Sequence, residues 1–137
     1  MFACAGRLMN IEHFALNVAE PVAMAAWYVE HFGMRIVRHL PQANETHFLA
    51  DAAGGVVEIY CNPADQVPDY AAMDPLLVHL AFASVDPRAD AARLIAAGAS
   101  LAEEKVLPDC SLLIMLRDPW GLAVQLCRRG TPLLPTT

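Results

Sequence analysis

Two stretches of the chain alternate apolar and polar residues in the manner of half-buried strands, and they follow one pattern. The first is Ile11-Glu12-His13-Phe14-Ala15-Leu16-Asn17-Val18; the second is Leu77-Val78-His79-Leu80-Ala81-Phe82-Ala83-Ser84. In each, a lone histidine is followed two residues later by alanine and eight residues later by proline, Pro21 or Pro87. A helix-like stretch comes next, 22–32 ending at Gly33 and 88–97 ending at Gly98. Proline suits a first helical turn because the donor it lacks has no partner there, and glycine just past the end accepts a positive φ. The stretches also close alike. Asp51-Ala52-Ala53-Gly54-Gly55-Val56-Val57-Glu58 and Asp118-Pro119-Trp120-Gly121-Leu122-Ala123-Val124-Gln125 both read Asp-x-x-Gly-x-x-x-(Glu or Gln), a hairpin turn followed by a strand with one long polar side chain. The interval from the histidine is 45 residues in the first (58 − 13) and 46 in the second (125 − 79).

The pattern predicts strand, helix and three strands, twice over. Strands are expected near 11–18, 34–40, 45–51, 55–61, 77–84, 99–106, 110–117 and 121–127, and helices near 21–32 and 87–97. Residues 62–75, with three prolines and three aspartates, read as a linker. The expected fold is therefore α+β, a single domain over 1–137 built of two tandem βαβββ modules. Module one covers about 9–61 and module two about 76–129.

Composition narrows the function classes. A chain of 137 residues with 56% hydrophobic and 18% charged residues can bury a core and is not a disordered segment. A net charge of −6 with only nine Lys and Arg argues against nucleic acid as partner. No apolar run approaches the roughly 20 residues of a membrane span. The amino terminus is too weakly patterned for a signal peptide. Met9 is as sensible a start as Met1, and the first eight residues read as an extension. The four cysteines, Cys4, Cys61, Cys110 and Cys127, have no paired spacing and read as reduced thiols of a cytoplasmic protein.

His13, Glu58, His79 and Gln125 carry the candidate chemistry. Each is a polar side chain in an otherwise apolar strand, a placement that costs free energy unless the group is paired or ligates something. They occupy matched positions in the two modules, so a pseudo-twofold axis would bring all four to one point. Imidazole nitrogens with carboxylate and amide oxygens suit one divalent Zn, Ni, Co, Mn or Fe(II) ion, with positions left for water or substrate.

With those residues in place, the chain resembles the vicinal oxygen chelate superfamily, which includes glyoxalase I, methylmalonyl-CoA epimerase, fosfomycin and bleomycin resistance proteins and extradiol dioxygenases. The resemblance runs from about Met9 to Arg129. Its most telling stretches are 11–18, Trp27-Tyr28-x-x-x-Phe32-Gly33-Met34, 56–60, 78–83 and 118–126. It implies a cupped mixed sheet and a homodimer acting on a small molecule. The glyoxalase I ligand order His, Glu, His, Glu is met by His13, Glu58 and His79, and departed from at Gln125. The resemblance then implies metal-dependent lyase or isomerase chemistry on a small oxygen-rich substrate through an enediolate-type anion. Because an amide cannot accept a proton near neutral pH, the base would be Glu58 or water activated by the ion. Two alternatives stay open: a non-catalytic, drug-sequestering protein like the bleomycin resistance proteins, or an extradiol-type dioxygenase using His13, His79 and Glu58.

Other residues read more plainly. Cys127 should share a face with Gln125 as a small buried filler. Arg35 and Arg38 read as solvated, and Trp27 and Tyr28 as packing residues. Trp120 is placed to shield a pocket edge. His31, His39 and His47 lack repeat partners and read as surface or incidental residues.

Overall fold

Periodicity alone would leave each strand free to slip, so pairing decides what the predicted elements build. The computed structural model describes residues 6–135. These fall into two compact units whose boundary in the sequence lies between Val67 and Pro68. The first contains β1 (Phe14–Asn17), α1 (Pro21–Phe32), β2 (Arg35–Leu40), β3 (Thr46–Ala50) and β4 (Val56–Tyr60). The second contains β5 (Leu80–Ala83), α2 (Pro87–Ala96), β6 (Ser100–Val106), β7 (Leu112–Arg117) and β8 (Ala123–Arg128). Each unit forms one four-stranded mixed sheet, in the orders β1-β4-β3-β2 and β5-β8-β7-β6, with the outer pairs β1–β4 and β5–β8 parallel and the rest antiparallel. The fold is α+β with two tandem βαβββ modules, as the pattern predicts.

Helix ends follow the expected chemistry. Both helices open on proline, and Asp86 also caps α2 by accepting from the Ala89 N–H at 3.1 Å. Gly33 ends α1 in the left-handed region at φ 68°. In α2 the cap falls on Ala97, and Gly98 takes the positive φ one residue later. Met24 and Tyr28, four residues apart on one face of α1, are buried in the first unit together with Leu16, Leu49 and Ile59. Leu94 of α2 is buried in the second unit with Ile114, Leu116, Val124 and Leu126. Each such side chain contributes about 1.5–3 kcal/mol by leaving water.

The repeat extends to register. Ala15 pairs with Glu58, Glu58 with Phe48, and Phe48 with Arg38; in the second unit the same row reads Ala81, Gln125, Met115, Glu103. A bulge falls between Ile36 and Arg38 in β2, and one at the matching place between Leu101 and Glu103 in β6. The Asp-x-x-Gly turns are also equivalent. Asp51 Oδ1 accepts from the N–H of Ala53 and Gly55 at 2.9 and 2.8 Å, and Asp118 Oδ1 from Trp120 and Leu122, each at 2.9 Å.

Two details differ from the sequence reading. The ladders of β1 and β5 begin at Phe14 and Leu80, so His13 and His79 lie one residue before them rather than inside. At β5 the cause is a turn: Asp74 takes the N–H of Leu76 on its carboxylate and of Leu77 on its carbonyl, which keeps 76–77 out of the strand. The expected linker contains two 3₁₀ turns, Ala64–Gln66 and Tyr70–Ala72. The second is fastened to its own unit by Arg117, whose guanidinium donates to the carbonyls of Tyr70, Met73 and Gly121 at 2.9, 2.7 and 3.1 Å. Residues 1–5 of the expected extension, Cys4 among them, lie outside the described residues.

Candidate metal centre

Successive side chains of a strand point to opposite faces, so register decides which groups can meet. In the first sheet Glu58 shares a face with Phe48 and Ala15. His13, two residues before Ala15, returns to that face. Its Nε2 lies 3.0 Å from Glu58 Oε2, and its ring meets Phe48 edge-on at 5.6 Å between centroids. Arg38 continues the row, its Cζ 6.0 Å from the centre of the Phe48 ring. On the far side of the imidazole, Nδ1 is 2.9 Å from Glu12 Oε1.

These distances test whether a metal ion suits the pair. Ligand atoms about 2.1 Å from one ion lie roughly 3.0–3.4 Å apart when adjacent, and the His13–Glu58 separation falls at that spacing. A neutral imidazole has one N–H, so it cannot donate to Glu12 and Glu58 at once. Two carboxylates facing one ring suit a positive charge there, carried either by the imidazolium, which has two N–H groups, or by an ion on the Nε2 side with Glu12 orienting the ligand from behind.

The second unit repeats the arrangement with different partners. His79 Nδ1 lies 2.8 Å from the Pro75 carbonyl oxygen, an acceptor only, so the ring proton sits on Nδ1 and Nε2 presents its lone pair. Gln125 occupies the register position of Glu58, with Ala81 on one side and Met115 on the other. Its Oε1 accepts from the Cys127 thiol at 3.3 Å. Burial pushes that thiol up, against a smaller opposing pull from Arg129, and favours the protonated form that can donate. Thus His13 and Glu58 meet within the first unit, while His79 and Gln125 hold the corresponding positions in the second. The spacing of the His13–Glu58 pair is compatible with an N/O-ligated divalent cation.

Sequence reasoning missed Glu12 and Phe48. The signal for Glu12 was its place beside a candidate ligand. The reading of His47 as a surface residue is corrected: it is 3% exposed in β3 and lies in a group with His39 and Glu45. Tyr28 is buried and Trp27 packs against Tyr28, His31 and Phe32, as expected of packing residues. Arg35 and Arg38 are exposed.

Comparison with known proteins identifies the family of this fold. The model of the glyoxalase/bleomycin resistance protein/dioxygenase superfamily matches residues 10–126. The chain belongs to this superfamily. Solved structures with the same fold include a glyoxalase family protein from Enterococcus faecalis, 26% identical with a TM-score of 0.65, covering 87% of this chain and 97% of its own. TnmS3, an antibiotic binding protein from Streptomyces sp. CB03234, is 21% identical with a TM-score of 0.67, over 87% of this chain and 94% of its own. Lactoylglutathione lyase from Agrobacterium tumefaciens is 18% identical with a TM-score of 0.65, over 91% and 97%. No curated protein sequence matches the chain. Among the described residues, no helix is long and apolar enough to cross a membrane.

Proposed function

We propose that this member of the glyoxalase superfamily is a divalent-metal-dependent lyase or isomerase acting on a small oxygen-rich substrate. The metal ligands in this reading are His13, Glu58, His79 and Gln125. The observation that carries the reading is the shared frame. In each module a histidine engaged through Nδ1 precedes a strand whose second residue, Ala15 or Ala81, pairs with the polar partner. When bound, the ion acts as a Lewis acid that polarises substrate oxygens.

The remaining roles fall to the chain. Glu12 and the Pro75 carbonyl hold the two imidazoles in orientation. Glu58, its side chain 18% exposed, can accept a substrate proton, whereas Gln125 offers an amide oxygen and no base. Phe48 packs edge-on against one side of the imidazole. The free thiols of Cys61, Cys110 and Cys127 support a cytoplasmic protein. Exposed Ile36, Val37, Leu101 and Val106 on the edge strands support a homodimer.

A second reading is favoured by Gln125 itself. With its oxygen satisfied by Cys127 and no carboxylate at that position, the protein would bind a small molecule without transforming it; TnmS3 is described as an antibiotic binding protein. Metal analysis of protein purified without chelator separates the two. The enzyme reading expects a stoichiometric transition metal that is lost in His13→Ala and in His79→Ala. Metal-free protein that takes up no added Ni, Zn, Mn or Fe, yet binds a drug-like aromatic compound in the presence of chelator, would sink it.

A further inference from the structure

We propose that His39, Glu45 and His47 form a second divalent-metal site, on the opposite face of the first sheet from His13 and Glu58. Face follows from register. Glu58 pairs with Phe48, whereas the next pair along, Ile59 with His47, points the other way, and His47 pairs in turn with His39. The two histidines are therefore direct cross-strand neighbours, and their rings stack with centroids 4.1 Å apart at 24°. Cross-strand partners on one face stand within reach of a single ion.

Glu45 completes the group. Asn44 and Glu45 both take left-handed backbone conformations, φ 58° and 54°, which cost non-glycine residues roughly 1 kcal/mol or more each. The strained turn is fixed on several sides. Thr46 donates through its N–H and its hydroxyl to Ala43 O, and the Cys61 N–H donates to Asn44 O at 3.0 Å. Held in this way, the Glu45 carboxylate returns to the histidines, with Oε2 2.7 Å from His39 Nε2. Its own carbonyl takes the His47 Nδ1–H at 2.6 Å, so His47 presents Nε2 as a lone-pair donor. That is the backbone-carbonyl support typical of a metal-bound histidine.

The ligand atoms of the three residues all lie within 4.8 Å of one another. Contraction to the roughly 3.0–3.4 Å of adjacent ligands requires one imidazole to turn out of the stack so that both Nε2 lone pairs converge. Two imidazoles and one carboxylate suit a Zn, Ni or Co ion, with coordination positions left over. Glu45 also lines, with Pro41, Asn44, Cys61 and the start of α1, an open cleft of about 610 Å³, so a small donor ligand has an approach to the same carboxylate.

The test uses full-length, metal-free protein titrated with Co²⁺, read by visible d–d absorption, and with Zn²⁺, read by calorimetry. In a His13→Ala/His79→Ala variant with native circular dichroism, one equivalent of Co²⁺ should still bind. Adding His39→Gln or Glu45→Gln, both at partly exposed side chains, should weaken that binding roughly 100-fold or more. In otherwise wild-type protein, His39→Gln should lower the stoichiometry by one equivalent, which keeps the test open if the double variant does not fold. Uptake indifferent to both substitutions overturns this site. Metal that persists in His39→Gln and vanishes in His13→Ala leaves the proposed function standing without it; the reverse result removes that function and leaves this site.

Discussion

Cys127 shows how one side chain's surroundings decide its chemistry. It lies two residues from Gln125 on the same face, where a nucleophile might be sought, yet its thiol is buried and donates to the amide oxygen. Burial pushes it up from the ordinary thiol range, so the thiolate fraction near neutral pH is smaller than for a free cysteine. Alkylation by iodoacetamide at about pH 8 should reach exposed Cys110 first and Cys127 at least roughly 10-fold more slowly. The Cys127 rate should keep climbing with pH beyond the point where an ordinary thiol levels off. Mass spectrometry of labelled peptides checks both, and fast labelling of Cys127 at neutral pH would mark it as a reactive group instead. Gln125 is the complementary case: its amide oxygen accepts from Cys127, and an amide lacks the basic site that the carboxylate of Glu58 has at the matched position.

At the scale of elements, equivalent turns carry unequal loads. Gly54 and Gly121 both hold positive φ, 95° and 89°, after an Asp that gathers two backbone N–H groups. A Cβ at Gly54 would meet nothing within 4 Å, whereas one at Gly121 would lie 2.6 Å from Ala71 Cβ and 2.7 Å from Ala71 N. Gly54→Ala should therefore cost only the backbone strain, about 1 kcal/mol. Gly121→Ala must also displace the 3₁₀ turn at Tyr70–Ala72, for about 3 kcal/mol or more. Thermal unfolding of the two variants should show that order, and equal losses would mean the turn yields freely. The sequence showed both glycines in the same motif and nothing of Ala71, because that contact joins residues 50 positions apart (121 − 71). The pairing of His39 with His47 was illegible for a related reason. The bulge between Ile36 and Arg38 reverses the alternation within β2, so counting by twos along the strand assigns its side chains to the wrong faces.

Over the whole molecule, eight strands and two helices were readable because each module repeats one alternation, one proline–glycine helix frame and one Asp-x-x-Gly turn. The matched positions of His13, Glu58, His79 and Gln125 were readable from the same repeat. Their partners Glu12, Phe48 and the Pro75 carbonyl were not, since orientation and register settle those contacts. The division at Val67 and Pro68 was only broadly legible, as proline and aspartate mark a connection without saying which side it packs on. Arg117 answers that by holding Tyr70 and Met73, which assigns the later part of the connection to the second unit. Limited proteolysis should accordingly cut first within 62–67, leaving fragments that end and begin near that stretch. A first cut within 70–73 would contradict the Arg117 clamp, and Arg117→Ala should move cleavage into those residues.

The matched registers of Glu58 and Gln125 also bear on how such a protein changes over generations. Glutamate and glutamine codons differ at a single base, so one nucleotide separates a module that offers a proton acceptor from one that does not. Because the strand pairing, the bulge and the turn are the same in both modules, that exchange leaves the scaffold untouched. A duplicated gene with this architecture can lose an acid–base group from one copy of the motif while the other retains its own. Under the proposed function, catalysis and simple retention of a ligand then lie one mutational step apart.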